Sequence, residues 1–148
     1  MKARDILSWA MPAIAADADL DAWCMQHYGR SLTVTVGWSQ DSEPEGGWQY
    51  PCLNFALWKS VSSEGSASED LEWNIQASLR DDVVGDTEGA LRADDLMHLI
   101  RDAILRANVL QDTTITIVGG DVSERPVYSA RATITIKRLR SRRAGLGR

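Results

Sequence analysis

The residue types that most often carry chemistry are few in this 148-residue chain. Cys24 and His27 have half of the spacing of a zinc site, and the remaining ligands would have to come from Cys52 and His98, which stand alone in the sequence. Two cysteines are also a thin basis for a disulfide-stabilised secreted scaffold. We therefore expect a buried cysteine and a solvated histidine here, and we predict no metal site.

A run of alternating aspartates offers a second candidate site. Asp17, Asp19 and Asp21 resemble the start of a calcium-binding loop. Such a loop needs glycine at its sixth position and glutamate at its twelfth, where this chain has Ala22 and Tyr28. The expected alternative is the start of a helix with solvated carboxylates.

Signatures of enzymes are not found in the sequence. It contains neither a G-x-S-x-G nucleophile elbow nor a phosphate-binding G-x-x-x-x-G-K-[ST] loop. Gly119 and Gly120 are followed by Asp121, whose charge would repel a phosphate. The adjacent aspartates at 81–82 and 94–95 point to different faces of their elements. We predict that the protein is not an enzyme and needs no cofactor.

Aromatic residues are the first positive indication of function, because six tryptophans stand beside a single phenylalanine. Four large aromatic residues surround the first long polar loop, at 40–47: Trp38, Trp48, Tyr50 and Trp58. Tryptophan joins a large apolar ring to one N–H donor and is enriched at protein interfaces. Some of the four must belong to the core, and the others are candidate contacts with another protein.

Charge is unevenly distributed along the chain. The last twelve residues carry six positive charges and no acid, including Lys137, Arg138, Arg140, Arg142 and Arg143. Removing these six from the net charge of −5 leaves about −11 on the rest of the chain. An acidic body argues against nucleic-acid binding across the whole surface. The basic tail can contact DNA phosphates, dock on an acidic neighbouring subunit, or stay solvated.

Apolar periodicity predicts the elements that position these residues. The N-terminal segment 3–16 is predicted as a helix containing Pro12, followed by a short helix that Asp19 caps and Gly29 ends. Alternating side chains predict strands at 32–38, 51–60 and 71–80, and the Ser/Gly/acid-rich segment 61–70 is predicted as a mobile loop.

The most regular stretch is 91–136. It begins with an amphipathic helix, and a loop is predicted before it at 81–89. Its apolar face has three- and four-residue spacing: Leu96, Leu99, Ile100, Ala103, Ile104 and Ala107. Strands follow at 113–118 and 126–137, with Gly119-Gly120-Asp121 in a long hairpin loop. We predict one α+β domain over 1–137 and a basic extension over 138–148. Its mixed or antiparallel sheet of about five strands would pack on the N-terminal helix and this central amphipathic helix.

Targeting signals are not evident in the sequence. The N-terminus lacks the form of a signal peptide, because Asp5 interrupts the basic region and no long apolar run follows. The sequence contains no run of about 18 apolar residues, so it predicts no membrane span. We expect a reduced protein of the cytoplasm with no membrane partner.

The order of elements resembles a known family. An N-terminal helix, strands with a large central loop, the helix DDLMHLIRDAIL and the closing strand YSARATITIK are together similar to the tail terminator or tail completion proteins of tailed bacteriophages. Members of that family form a ring, commonly a hexamer, that stops growth of the tail tube and offers a surface to the head connector. The resemblance implies a structural virion protein, assembled in the bacterial host cytoplasm.

The partners implied by the resemblance are other copies of the chain, the tail tube protein and the head–tail connector or neck proteins. DNA would pass through the lumen of the ring without specific binding. Three alternatives remain: a small nucleic-acid-binding module that uses the basic tail, another phage neck or head-completion protein, and a small enzyme of unrecognised type.

Overall fold

A computed structural model describes residues 3–37, 47, 49–62, 68–107, 113–124 and 126–139. Its elements are α1 (Ala3–Ala16), α2 (Ala18–Tyr28), β1 (Thr33–Val36), β2 (Cys52–Ser62), β3 (Ser68–Arg80), α3 (Asp86–Arg106), β4 (Thr113–Glu124) and β5 (Val127–Leu139). The strands form one mixed sheet in the order β1-β2-β3-β5-β4, with β1 parallel to β2 and the other neighbours antiparallel. The predicted α+β fold is confirmed.

The core lies between one face of the sheet and α3. This helix packs on β3, β4 and β5, and α1 and α2 pack in turn on α3. Four residues of the predicted apolar face, Leu96, Ile100, Ala103 and Ile104, are buried, whereas Leu99 and Ala107 are half-buried. Alternate side chains of β3 and β5 complete the core: Leu71, Trp73, Ile75, Ala77 and Leu79, with Tyr128, Ala130, Ala132, Ile134 and Ile136.

Helix α3 begins at Asp86, so the prediction of a loop through residue 89 is wrong. Gly89 lies within the helix and is fully covered by the ring of Tyr128, which leaves no space for a Cβ atom. The Tyr128 hydroxyl donates a hydrogen bond of 3.1 Å to the Asp86 carboxylate at the start of the helix. The glycine therefore serves close packing between α3 and β5 and does not mark a turn.

Gly89→Ala is expected to destabilise the fold by about 1–3 kcal/mol, because overpacking outweighs the better helix propensity of alanine. An added Cβ atom would lie 2.5 Å from two carbons of the Tyr128 ring. Urea unfolding measures the change. Gly85→Ala is the matched control, since no atom lies within 4 Å of its added Cβ atom, and its cost should be limited to the weaker helix cap that alanine provides, below about 1 kcal/mol. Equal effects of the two changes would contradict the contact.

The last two strands form a tighter hairpin than the predicted long loop. β4 continues through Gly119-Gly120-Asp121, and Glu124 pairs with Val127. The prediction failed because the pairing register shifts between Ile117 and Gly119, and Gly119, at φ +126°, takes a backbone conformation that other residues rarely adopt. The predicted mobile loop 61–70 is also shorter than expected, because Val61 pairs with Asp70. Residues 63–67 lie outside the described part.

Asp17, rather than the predicted Asp19, caps helix α2. Its carboxylate accepts a hydrogen bond of 3.0 Å from the Leu20 amide and one of 3.2 Å from Arg106 Nε at the end of α3. Burial alone would raise the pKa of Asp17, but these hydrogen bonds outweigh it and hold the pKa below its ordinary value. The predicted end of the helix at Gly29, with φ +70°, is confirmed.

Asp17→Ala should lower the free energy of unfolding by about 1 kcal/mol at neutral pH, because α2 loses its cap. Asp19 lies two residues further along, in the first turn of the helix, and Asp19→Ala should lower the free energy of unfolding by less. Since the folded pKa of Asp17 is depressed, its charged form stabilises the fold above the unfolded pKa of about 3.8, and this contribution is lost as the pH falls through the folded pKa. Thermal melts at neutral and acidic pH test this. Equal acid sensitivity of the wild type and Asp17→Ala would contradict it.

Candidate functional site

The sheet face opposite α3 carries polar side chains from both central strands. These alternate with the core residues of β3 and β5 and comprise Glu72, Asn74, Gln76, Ser78, Ser129, Arg131, Thr133 and Thr135. Gln76 Nε2 donates to Ser129 Oγ over 3.3 Å, and the Ser78 and Ser129 hydroxyls lie 2.9 Å apart. Thr133 Oγ1 donates to Asn74 Oδ1 over 3.1 Å. Cross-strand hydrogen bonds therefore order this face.

A shallow depression of about 360 Å³ lies in the middle of the polar face. It is lined by Ala56, Leu57, Asn74, Ile75, Gln76, Val118, Arg131, Ala132 and Thr133. β-Bulges flank it, since the pairing register shifts after Phe55 in β2 and after Ile117 in β4. The bulges place Leu57 and Val118 beside the depression with 68% and 73% of their surface exposed. A bulge re-aims side chains in this way without ending the strand.

The groups on this face are amides, hydroxyls, the Glu72 carboxylate, the Arg131 guanidinium and two exposed aliphatic side chains. They suit recognition of another surface through hydrogen bonds and apolar contact. Cys52 lies at one end of β2, where burial raises the pKa of its thiol to about 11, so it stays protonated and weakly nucleophilic at neutral pH.

The candidate zinc ligands are not brought together. Burial also raises the pKa of the Cys24 thiol to about 11, and the ring of His27 packs on Trp23 with centroids 4.6 Å apart. His98 Nε2 lies 3.3 Å from an Asp94 carboxylate oxygen on α3. Within the described ranges, no group of three or more His, Cys, Asp or Glu side chains is placed to hold a metal ion.

A polar cluster joins the end of β3 to α3. Arg92 Nη1 donates to Asp81 Oδ2 over 2.9 Å, and Asp81 Oδ1 accepts from the amides of Val83 and Val84. Tyr28 lies beside this pair, and burial raises the pKa of its hydroxyl. Both Asp81 oxygens are used in fixing the loop, so we interpret this cluster as structural.

Of the four aromatic residues predicted as contacts with another protein, the structure describes two. Trp58 is 55% exposed on β2, directly opposite the buried Trp73 of β3, and Tyr50 is half-buried. Trp38 and Trp48 lie outside the described residues. Their role in a protein contact stays a prediction.

Two of the five predicted tail residues lie inside the sheet. β5 extends to Leu139, and its register places Lys137 opposite Asp70 and Arg138 opposite Glu69. β5 therefore extends two residues past the predicted strand end at residue 137, which places Arg138 in the sheet and not in the predicted extension. Arg140, Arg142 and Arg143 lie outside the described residues.

The sequence analysis also missed Leu57 and Val118. Each belongs to a pair of adjacent apolar residues, Leu57-Trp58 and Ile117-Val118, that interrupts the alternation of its strand. Such an interruption is typical of a β-bulge, and it is the feature of the sequence that could have indicated Leu57 and Val118.

No helix in the described part of the chain is long and apolar enough to cross a membrane. Comparison of the sequence with models of known protein families finds no match, and no curated protein matches it either.

Proposed function

We propose that this protein is a structural subunit of a phage virion: a tail terminator that assembles into a ring, caps the tail tube and joins it to the head connector or neck. The order of elements that resembles this family supports the proposal, together with the α+β fold. The observation that carries it is exposed apolar surface on both faces of the sheet. Leu57 and Val118 line the depression on the polar face, and Trp58 lies on the other face of β2, opposite Trp73.

A ring requires two different contact patches on each subunit, because one side of a copy must fit the other side of the next. Leu57, Trp58 and Val118 are 68%, 55% and 73% exposed, although each is large and apolar. Leaving such residues in water costs free energy that a contact with another copy recovers. Their position on two faces of the sheet provides two different patches, as a head-to-tail ring requires.

The charge distribution fits the same assembly. An acidic body would give the lumen a negative potential, so DNA would pass during packaging and ejection without adhering. The basic tail would then contact an acidic neighbouring subunit or a neck protein.

Assembly of the purified full-length chain with tail tube protein from the same gene cluster tests the proposal. We expect closed rings of one fixed mass by light scattering, and tubes of defined length with a ring at one end by electron microscopy. Tubes that keep growing in the presence of the protein would contradict it. DNA binding that falls steeply with salt and is lost on deletion of residues 140–148 would favour the nucleic-acid-binding module instead.

A further inference from the structure

β4 is the outermost strand at one edge of the described sheet, yet its first half has the composition of an interior strand. Residues 114–118 have the sequence TITIV, in which every residue is β-branched and none is charged. Natural proteins usually protect an outer strand with lysine, proline or a short length, because the N–H and C=O groups along it recruit other strands. We call this segment the β4 edge (114–118).

Two apolar side chains of the β4 edge are incompletely covered by the subunit. Ile115 and Ile117 lie on the core face but are only half-buried. Their cross-strand neighbours on β5, Ile134 and Ala132, are buried. A further strand beside β4 would cover the rest of both isoleucines and remove apolar surface from water. A strand with apolar side chains at the matching positions therefore fits this edge.

The β4 edge is complementary to itself. A second copy rotated by 180° about an axis beside Thr116 sets the two edges antiparallel, with Thr116 opposite the same residue of the second copy. Ile115 then lies opposite Ile117 on the core face, and Thr114 lies opposite Val118 on the polar face. Each pair joins side chains of the same face, as an antiparallel ladder requires. The pattern of the segment therefore favours a second copy as the neighbouring strand.

Other registers match less well. A shift of one residue would set core-face side chains opposite polar-face ones. A shift of two residues in one direction would set Ile115 opposite Gly119, which has no side chain, and a shift in the other direction would set Ile117 opposite Thr113. Only the register centred on Thr116 gives both isoleucines an isoleucine neighbour.

The described strands leave room for this arrangement. β4 is outermost along its whole length, so residues of the second copy that follow Val118 meet no described strand of the first. The axis is perpendicular to the sheet, so both copies keep α3 on the same side of the joined sheets.

We propose that the β4 edges of two copies pair antiparallel about a two-fold axis at Thr116, which joins their five-stranded sheets into one. The contact is complete at two copies, because each β4 is used once. It goes beyond the proposed function and does not rest on it, since the subunits of a ring are joined by head-to-tail contacts.

Oxidation of Thr116→Cys in the full-length protein tests the pairing. The two new thiols would be directly opposed across the axis, with Cβ atoms about 4.5–5.5 Å apart, near the distance that a disulfide needs. Thr116 is exposed, and the native Cys24 and Cys52 are buried. We expect a covalent dimer on non-reducing gels.

Thr114→Cys is the matched control, because Thr114 is also exposed and lies on the same face. In the proposed register the two Thr114 positions are four residues apart along the strands, about 13 Å, which is too far for a disulfide. This variant should give no dimer, whereas Thr114→Cys/Val118→Cys should give one. Absence of a dimer from Thr116→Cys would overturn the pairing, as would dimers of Thr114→Cys in equal amount.

Thr116→Lys tests the contact without a cross-link. It would set two positive charges directly opposite each other at the axis, so it should halve the mass that light scattering measures for the wild type. An unchanged mass of the folded variant would overturn the pairing. Protein that forms the covalent dimer but does not stop tube growth would uphold the pairing and reject the tail terminator. Capping of tubes without the dimer would do the reverse.

Discussion

Replacing Ile104 by alanine should lower the free energy of unfolding by about 2–5 kcal/mol. Ile104 is fully buried on the face of α3 that packs on the sheet, so truncation removes apolar contacts and leaves a cavity that the surrounding strands cannot fill. Urea denaturation followed by circular dichroism measures the loss, and an unchanged slope with denaturant would assign it to the native state.

Leu105→Ala is the matched control for this prediction. Leu105 follows Ile104 directly in α3, but 40% of its surface is exposed. Its truncation should cost well under half as much. If Leu105→Ala destabilised the protein as strongly as Ile104→Ala, the orientation of α3 on the sheet would be wrong.

The fold class could be predicted because, in the longest elements, the spacing of apolar residues in the sequence agrees with which residues are buried. Leu96, Ile100 and Ile104 recur at helical spacing and face the sheet, while the alternation in β3 extends over the whole predicted strand 71–80. In both elements one side is buried and the other is polar, so the sequence pattern and the tertiary structure impose the same constraint.

The ends of elements were predicted less well because tertiary contacts decide them. Gly89 looked like part of a loop, yet its small size is required by Tyr128, which is 39 positions away in the sequence. Asp17 caps α2 partly because Arg106, at the end of a different helix, lies beside it. No local pattern contains these partners.

The candidate surfaces could be predicted only in part for a related reason. An excess of tryptophan indicates that some indole rings face another protein, but it does not say which. Whether a segment lies at an edge of the sheet depends on the order of the strands. That order cannot be predicted from the alternation of apolar and polar residues. The exposed Leu57 and Val118 depend on bulges, each of which shifts the register by one residue and exchanges the two faces of a strand.

Trp73→Ala should destabilise the subunit by about 3–5 kcal/mol, the second large effect that we expect. Trp73 is 3% exposed, and its ring meets Phe55 edge-on with centroids 5.6 Å apart. Removing it deletes a large apolar side chain from the centre of the core, together with an aromatic pair. Thermal or urea unfolding of the isolated subunit measures this change.

Trp58→Ala is the comparison that separates the core from the contact surface. Trp58 lies directly opposite Trp73 on the same face of the sheet, yet 55% of its surface is exposed. Its truncation should leave unfolding of the isolated subunit within about 1 kcal/mol of the wild type, since an exposed side chain has few contacts to lose. The same variant should weaken self-association measured by light scattering, because Trp58 belongs to the exposed apolar surface that the proposed ring would cover. A variant that associates as strongly as the wild type would remove Trp58 from the contact, and one that unfolds as readily as Trp73→Ala would place it in the core.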